Sequence, residues 1–339
     1  MSTGTTRQTA GRKRLGVLSR GLWALLGAWA ACGCAASPGL NAERLYRTVR
    51  EASVFVLADG RHRGSGFFAD SRGLIVTAAH MVKGQTDGIE VVSPVAGRLE
   101  ARPVAIDLGH DVALLRVGRR KEPYPALRIA ERIPPPGTEI LLFGDAAFQH
   151  HLLLAGSVSA VEPTYCHNPG VGGYTRVFFA AGASPNGTSG GCWVDREARV
   201  VGVQSGYLNI STKVPAGIAM VSPPEAVRRL LATRRSPAAA TLGSRLDELW
   251  TQPKGFIARF PKGSAGVVTV VPAKDGPAAK AGLKKGSLIT AIDGKPVAYI
   301  QDVMAVVRSK KPGEEVTLEV LDPDKKPKRL VKVRLGTLR

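Results

Sequence analysis

Between Ala52 and Val221 apolar residues come in short runs, or alternate with polar ones, and Gly, Pro, Asp and Asn break the runs. Ser53-Val-Phe-Val-Leu57, Leu74-Ile-Val-Thr77, Val112 to Val117, Glu139 to Phe143, Arg176 to Phe179 and Val200 to Gln204 are examples. Many short strands with turn signals between them predict an all-β sandwich or a pair of barrels. The first helical pattern is Pro223 to Arg234, with proline at its start and Val227, Leu230 and Leu231 on one face. Arg235 to Ala240 is a Ser/Pro/Ala stretch of linker type, and the linker is expected over 236–252, with Leu242 to Trp250 as a short helix. From Pro253 the pattern becomes that of a small α/β unit. Its strands are predicted at Gly255–Phe260, Gly266–Val271, Ser287–Ile292, Glu315–Leu321 and Arg329–Leu335, and its main helix at Ile300–Ser309. The organisation expected is therefore a mainly β domain over 37–235 and a second domain over 253–339.

The N-terminus follows a different logic. Arg7, Arg12, Lys13, Arg14 and Arg20 precede the apolar run Leu22 to Ala31, and small residues follow. That order is an export signal over 1–36, too short in its apolar run to span a bilayer. Ala31-Cys32-Gly33-Cys34 has the form of a lipidation site, with Cys34 the first candidate for acylation and Cys32 the second; cleavage after Ala36 is the competing reading. The expected location is thus the periplasm of a bacterial envelope, free or as an anchored lipoprotein.

Charge alters the picture little. A net charge of +20 over 339 residues favours anionic partners, an acidic envelope surface among them. The basic residues are nevertheless scattered, with no zinc-finger spacing and no aromatic-basic RNA-binding signature, so no nucleic-acid partner is expected. Outside the signal only Cys166 and Cys192 remain, and in an exported protein they are either a disulfide or two buried thiols. His150, His151, Cys166 and His167 fit no closed metal-site spacing, and neither a metal nor another cofactor is expected.

Three local contexts carry chemistry. His80 ends Leu74-Ile-Val-Thr-Ala-Ala-His80, a strand running into a turn; Asp111 opens another strand; Ser189 lies in the glycine-rich Asn186-Gly-Thr-Ser-Gly-Gly191. A serine hydroxyl needs a base to remove its proton, and imidazole titrates in the right range. A carboxylate behind the imidazole fixes its tautomer. Gly187-Thr188-Ser189 is the candidate oxyanion hole, with the N–H groups of Gly187 and Ser189 as donors. His110, beside Asp111, is the rival base.

These segments resemble the trypsin-like HtrA/Deg serine proteases. The resemblance runs through Gly64-Ser-Gly-Phe-Phe68, Gly73 to His80, Asp111 to Val117, Gly156 to Ala160, Ser189-Gly-Gly191 and Gly217 to Ser222. It implies a double six-stranded β-barrel, with His80 as general base, Asp111 as its orienter and Ser189 as nucleophile. It also implies an S1 pocket near Ala183, Ser205 and Ala219, suited to small or medium aliphatic side chains, and assembly as a homotrimer. Thr188 and Cys192-Trp193 depart from the family's usual residues, and the loop Ser184 to Cys192 carries one extra residue.

Gly266 to Val271, Gly276 to Leu283 and Gly286 to Pro296 resemble a permuted bacterial PDZ domain. Such domains bind hydrophobic C-terminal or internal peptides as an added strand. The resemblance places the carboxylate loop at Lys254-Gly255-Phe256, the pairing strand at Phe256-Ile257-Ala258, and the facing helix wall at Ile300, Val303 and Val307. The function expected is an exported endopeptidase acting on misfolded or specific envelope polypeptides. The rivals are a peptide-binding holdase with an inactive protease-like domain and a scaffold held to anionic surfaces.

Overall fold

Among the described residues the first element is a helix, α1 (Ala42–Ala52), which the strand-oriented pattern does not predict. Asn41 caps it by accepting the Arg44 amide, and Leu45, Val49 and Ala52 bury one face. The structure is a computed structural model and describes residues 41–339 except 212–213 and 325–326. The export signal, Cys32 and Cys34 lie outside the described residues.

Two closed barrels follow, as the alternating runs predict. The first contains β1 (Ser53–Ala58), β2 (Arg61–Phe68), β3 (Leu74–Thr77), β4 (Ile89–Ser93), β5 (Gly97–Asp107) and β6 (Val112–Val117), in the order β1-β2-β3-β6-β5-β4. A single helical turn, α2 (Ala79–Val82), interrupts it after β3. The second contains β7 (Glu139–Gly144), β8 (Leu152–Asn168), β9 (Gly173–Gly182), β10 (Cys192–Val194), β11 (Val200–Ser211) and β12 (Val214–Ser222), in the order β10-β11-β12-β9-β8-β7. Val54, Val56, Phe68, Ile75 and Leu115 fill the first barrel. Ile140, Leu142, Phe178, Trp193 and Val201 fill the second.

A third cluster forms the seam. Phe67 and Leu114 of the first barrel meet Phe143, Cys192 and Val203 of the second, and α1 and α3 (Pro224–Thr233) close its ends through Leu45, Val49, Val227 and Leu230. The site lies along this seam, so it is held by both barrels at once. Cys192 is buried there, while Cys166 is half-buried on β8 opposite Thr175; both are free thiols, which corrects the disulfide alternative. Burial pushes the thiol pKa up to about 11 at Cys166 and about 12 at Cys192, so both behave as small apolar side chains.

The C-terminal unit begins earlier than 253. Strands β13 (Ala240–Thr241) and β14 (Ser244–Glu248) lie inside the expected linker, and β14 replaces the helix expected at Leu242–Trp250. α4 (Lys254–Ile257) follows, where a strand was expected. Then come β15 (Val267–Pro272), α5 (Pro277–Lys280), β16 (Leu288–Ile292), β17 (Lys295–Pro296), α6 (Ile300–Ser309), β18 (Glu315–Leu321), β19 (Arg329–Arg334) and β20 (Gly336–Thr337). The sheet runs β14-β15-β16-β18-β19, which leaves β14 on an edge, and β20 pairs back with β13.

Candidate active site

His80 is placed by α2, whose start is tied to the strand that carries its partner: the Ala79 N–H donates to the Asp111 carbonyl. The Asp111 carboxylate is fully buried. Its Oδ1 accepts the His80 amide at 2.8 Å, and its Oδ2 lies 2.8 Å from His80 Nδ1. With Nδ1 turned to the carboxylate, Nε2 is the nitrogen left for chemistry. Burial opposes charging of His80, but the Asp111 charge and hydrogen bond outweigh it, and the imidazole pKa is raised above 6.5. His110 is not the base for this carboxylate. Its Nδ1 lies 3.0 Å from Asp107 Oδ2, in a separate pair that Arg229 joins.

Ser189 enters from the other barrel. Its carbonyl accepts the Ser65 amide at 2.7 Å, which pins the glycine-rich turn against β2. Gly190 has φ +80°, and a Cβ there would stand 2.1 Å from the Ser65 carbonyl oxygen, so only glycine fits. Gly187 has φ +94°, and a Cβ there would stand 2.0 Å from the Asp145 carbonyl oxygen.

The amides of this turn divide cleanly. Thr188 N–H donates to Pro185, Gly190 N–H to Gln204 and Gly191 N–H to Thr188. Thr188 therefore lies in the candidate hole with its own amide already engaged, which leaves Gly187 and Ser189 as the donors the sequence points to. The amides of Gly187 and Ser189 donate to no acceptor among the described residues. The Asn186 carbonyl accepts from Ala147 at 2.7 Å, and across a trans peptide this turns the Gly187 N–H the opposite way, off that loop. Ser65 braces the arrangement: its buried Oγ donates to the Gly187 carbonyl and accepts the Asp145 amide, both at 2.9 Å. Below it the sealed Asp145 carboxylate lies 2.9 Å from His62 Nε2 and 3.0 Å from His150 Nδ1.

The S1 candidates diverge. Ser205 gives its hydroxyl to Asp111 Oδ2 at 2.6 Å, Ala219 is packed in the core with Phe178 and Trp193, and Ala183 is exposed. The histidines and cysteine weighed as metal ligands lie in two places: His150 and His151 lie tilted against Phe55, while His167 packs edge-on against Tyr174 beside Cys166. Asn168, which no sequence pattern singles out, donates to Asp111 Oδ2 and to Ser205 Oγ, both at 3.1 Å.

In the C-terminal unit, Lys254-Gly255-Phe256-Ile257-Ala258 form a helical turn rather than a loop and strand. Pro253 starts it, its carbonyl accepting the Phe256 and Ile257 amides, and Phe256 and Ile257 pack on Leu249, Phe260, Leu288 and Leu321. The sheet edge beside α6 belongs to β14 instead. Val303 and Val307 are fully buried facing Leu246, and Ile300 is half-buried against the same cluster, so the helix wall is where the sequence puts it. The place between helix and edge is taken by Tyr174, from the β8–β9 hairpin. Its Oη accepts the Leu246 amide at 2.9 Å and donates to the Leu246 carbonyl at 3.0 Å.

Comparison with known proteins agrees with this division. Residues 64–203 match the trypsin-like peptidase domain and residues 242–333 the PDZ domain. A DegP-like periplasmic serine endoprotease of Pseudomonas fulva is 29% identical over 285 residues, 81% of this chain and 56% of that protein. The Do-like protease 14 of Arabidopsis thaliana is 30% identical over 296 residues, 79% of this chain and 66% of that protein. The chain is homologous to the DegP/HtrA serine proteases and carries their trypsin-like and PDZ domains. It spans between about half and two thirds of the length of these curated relatives. Among solved structures, the HtrA-type protease AlgW with a decapeptide superposes with a TM-score of 0.60 over 88% of this chain and 99% of that one, at 19% identity. The shared HtrA fold therefore extends through both the double barrel and the PDZ unit.

Proposed function

We propose that this HtrA/Deg chain is an exported serine endopeptidase that cleaves misfolded or specific envelope polypeptides by an acyl-enzyme route. One observation carries the reading: a buried carboxylate holds His80 by Nδ1, while the Gly187 and Ser189 amides beside the nucleophile donate to no acceptor among the described residues. His80 Nε2 takes the Ser189 Oγ proton as Oγ adds to the scissile carbonyl. The resulting oxyanion is received by the Gly187 and Ser189 N–H groups, which are aimed before the charge develops. The imidazolium then gives its proton to the leaving amine, which departs as the acyl-enzyme forms. Water, deprotonated by His80, hydrolyses the ester and restores Ser189. The Ser189 side chain makes no hydrogen bond among the described residues, as befits a resting site whose contacts tighten around substrate.

The PDZ unit is proposed to take extended hydrophobic peptides along β14, the edge now engaged by Tyr174. The family and the basic N-terminal segment support a periplasmic location, with lipid anchoring at Cys34 or Cys32, a trimeric assembly and attraction to anionic envelope surfaces as further parts of the proposal. A fluorophosphonate probe and unfolded casein test the reading together. Wild type should be labelled and should degrade casein, and Ser189→Ala should do neither. Equal turnover by both proteins would sink it.

A further inference from the structure

Asp111 has more partners than a histidine alone requires. Its Oδ2 receives His80 Nδ1, the Ser205 hydroxyl and the Asn168 amide nitrogen, while among the described residues Oδ1 receives only the His80 backbone amide. Asn168 is the last residue of β8 and is nine-tenths buried, at 7% exposure. Its orientation is unambiguous. Oδ1 accepts the Gly170 amide at 3.0 Å and the Val171 amide at 3.4 Å, and because those groups only donate, the NH₂ must face Asp111 and Ser205. The hairpin turn it anchors lies over the histidine: a Cβ on Gly170 would stand 3.0 Å from His80 Cβ. Lys83 Nζ secures the turn by donating to the Val171 carbonyl at 2.7 Å.

We propose that Asn168 is a positioning residue for the His80–Asp111 pair, holding the carboxylate in register with the imidazole and drawing off part of its charge. The proposal rests on the serine-protease reading. An amide is the group that suits the place, since it donates toward Asp111 and accepts from the turn at once. An aspartate at 168 keeps the acceptor for the turn but presents a second carboxylate to Asp111 Oδ2. The added negative charge stabilises imidazolium, and His80 then becomes a free base only at higher pH. Alanine removes the donor without adding charge, so the Asp111 charge bears more fully on His80 and the shift has the same sign at smaller size. The charged residues against the turn, Lys83 and, through its backbone oxygen at Gly172, Arg339, are unchanged in both variants, and His167 lies beyond it against Tyr174.

The test is the pH profile of kcat/KM on a peptide substrate for wild type, Asn168→Asp and Asn168→Ala, with melting curves alongside. The acid limb of Asn168→Asp should move up by about one pH unit, a tenfold lower rate near pH 6. The acid limb of Asn168→Ala should move up by less, and both proteins should stay folded. Profiles that superimpose on wild type after scaling, or that shift downward, overturn the proposal and leave Asn168 a part of the hairpin only. Following the His80 ring titration by NMR in Ser189→Ala, with and without Asn168→Asp, gives the same comparison without turnover. An unreactive Ser189 in wild type therefore defeats the protease reading, while an unmoved His80 titration defeats this inference.

Discussion

The Tyr174 hydroxyl closes both hydrogen-bonding groups of Leu246, accepting its amide and donating to its carbonyl. Tyr174 belongs to the protease domain and Leu246 to the PDZ edge strand, so a phenol stands where an incoming peptide backbone would pair. The contact is buried, and the ring packs in the same cluster as Leu242, Leu246, Val303 and Val307. Burial also pushes the phenol pKa upward, so this link does not open by ionisation in the physiological range. Around it, Gln301 bonds both the amide and the carbonyl of Tyr165, and Arg308 donates to the Tyr174 carbonyl.

Tyr174→Phe keeps the ring and removes the hydroxyl. The Leu246 amide and carbonyl then lose their partner, which disfavours the docked state by about 1–3 kcal/mol. A larger fraction of molecules offers a free β14 edge, and the apparent affinity for a hydrophobic C-terminal peptide should rise roughly tenfold. Fluorescence polarisation with a labelled peptide measures this. Unchanged affinity would mean that peptides bind elsewhere than along β14.

Ser65 joins two loops that also share the Ala147–Asn186 backbone bond, taking the Asp145 amide and giving its proton to the Gly187 carbonyl. Ser65→Ala leaves both groups without that partner in a buried place, at about 1–3 kcal/mol. The Gly187 peptide then loses its brace, and loss of one aligned oxyanion donor lowers kcat by about a hundredfold or more. KM should move little, because the acyl side chain pockets are untouched. A variant that melts lower but keeps kcat would assign Ser65 to stability alone.

How far the sequence reaches can be seen at particular residues. β1, β3 and β6 are legible because their buried residues come in runs or alternation. β14 is not, because in Ser244-Arg-Leu-Asp-Glu248 only Leu246 is buried, and an edge strand with one apolar residue has no periodicity to detect. Phe256-Ile257 looks like strand by composition, yet Pro253 starts a helical turn and the pair is used as a plug for Leu249 and Leu288. α1 does carry a signal, since Leu45, Val49 and Ala52 share a face, but it is only three turns long. His80, Asp111 and Ser189 are recognisable by order and local context. Asn168 and Ser65 are polar residues whose partners lie 57 and 122 positions away, and no local pattern announces such bonds.

Both cysteines of the described residues should resist reagents in the native state. Their thiolates are disfavoured by burial, with pKa values near 11 and 12, and Cys192 is fully enclosed in the seam. Alkylation at pH 8 followed by peptide mapping should leave Cys192 unmodified and Cys166 largely so, and both should react in denaturant. No mapped peptide should join the two. A native disulfide-linked peptide pair would overturn the assignment of free thiols.

The pH dependence has opposite signs for stability and for activity. The His80 pKa in the folded protein is raised above its unfolded value near 6.5. The protonated pair therefore contributes stability that is complete below that unfolded value and is lost as pH rises through the folded one. Activity needs the neutral ring and should appear over the same rise, with an acid limb above pH 6.5. Asp111→Asn removes the charge that raises the pKa and leaves burial, which lowers it. Its acid limb should fall below 6.5, and kcat should drop about ten-thousand-fold, because the imidazole is no longer held in the tautomer that accepts a proton at Nε2. Rates measured from pH 5 to 9 for both proteins check the two effects separately. An acid limb that stays in place in Asp111→Asn would show that another group titrates there.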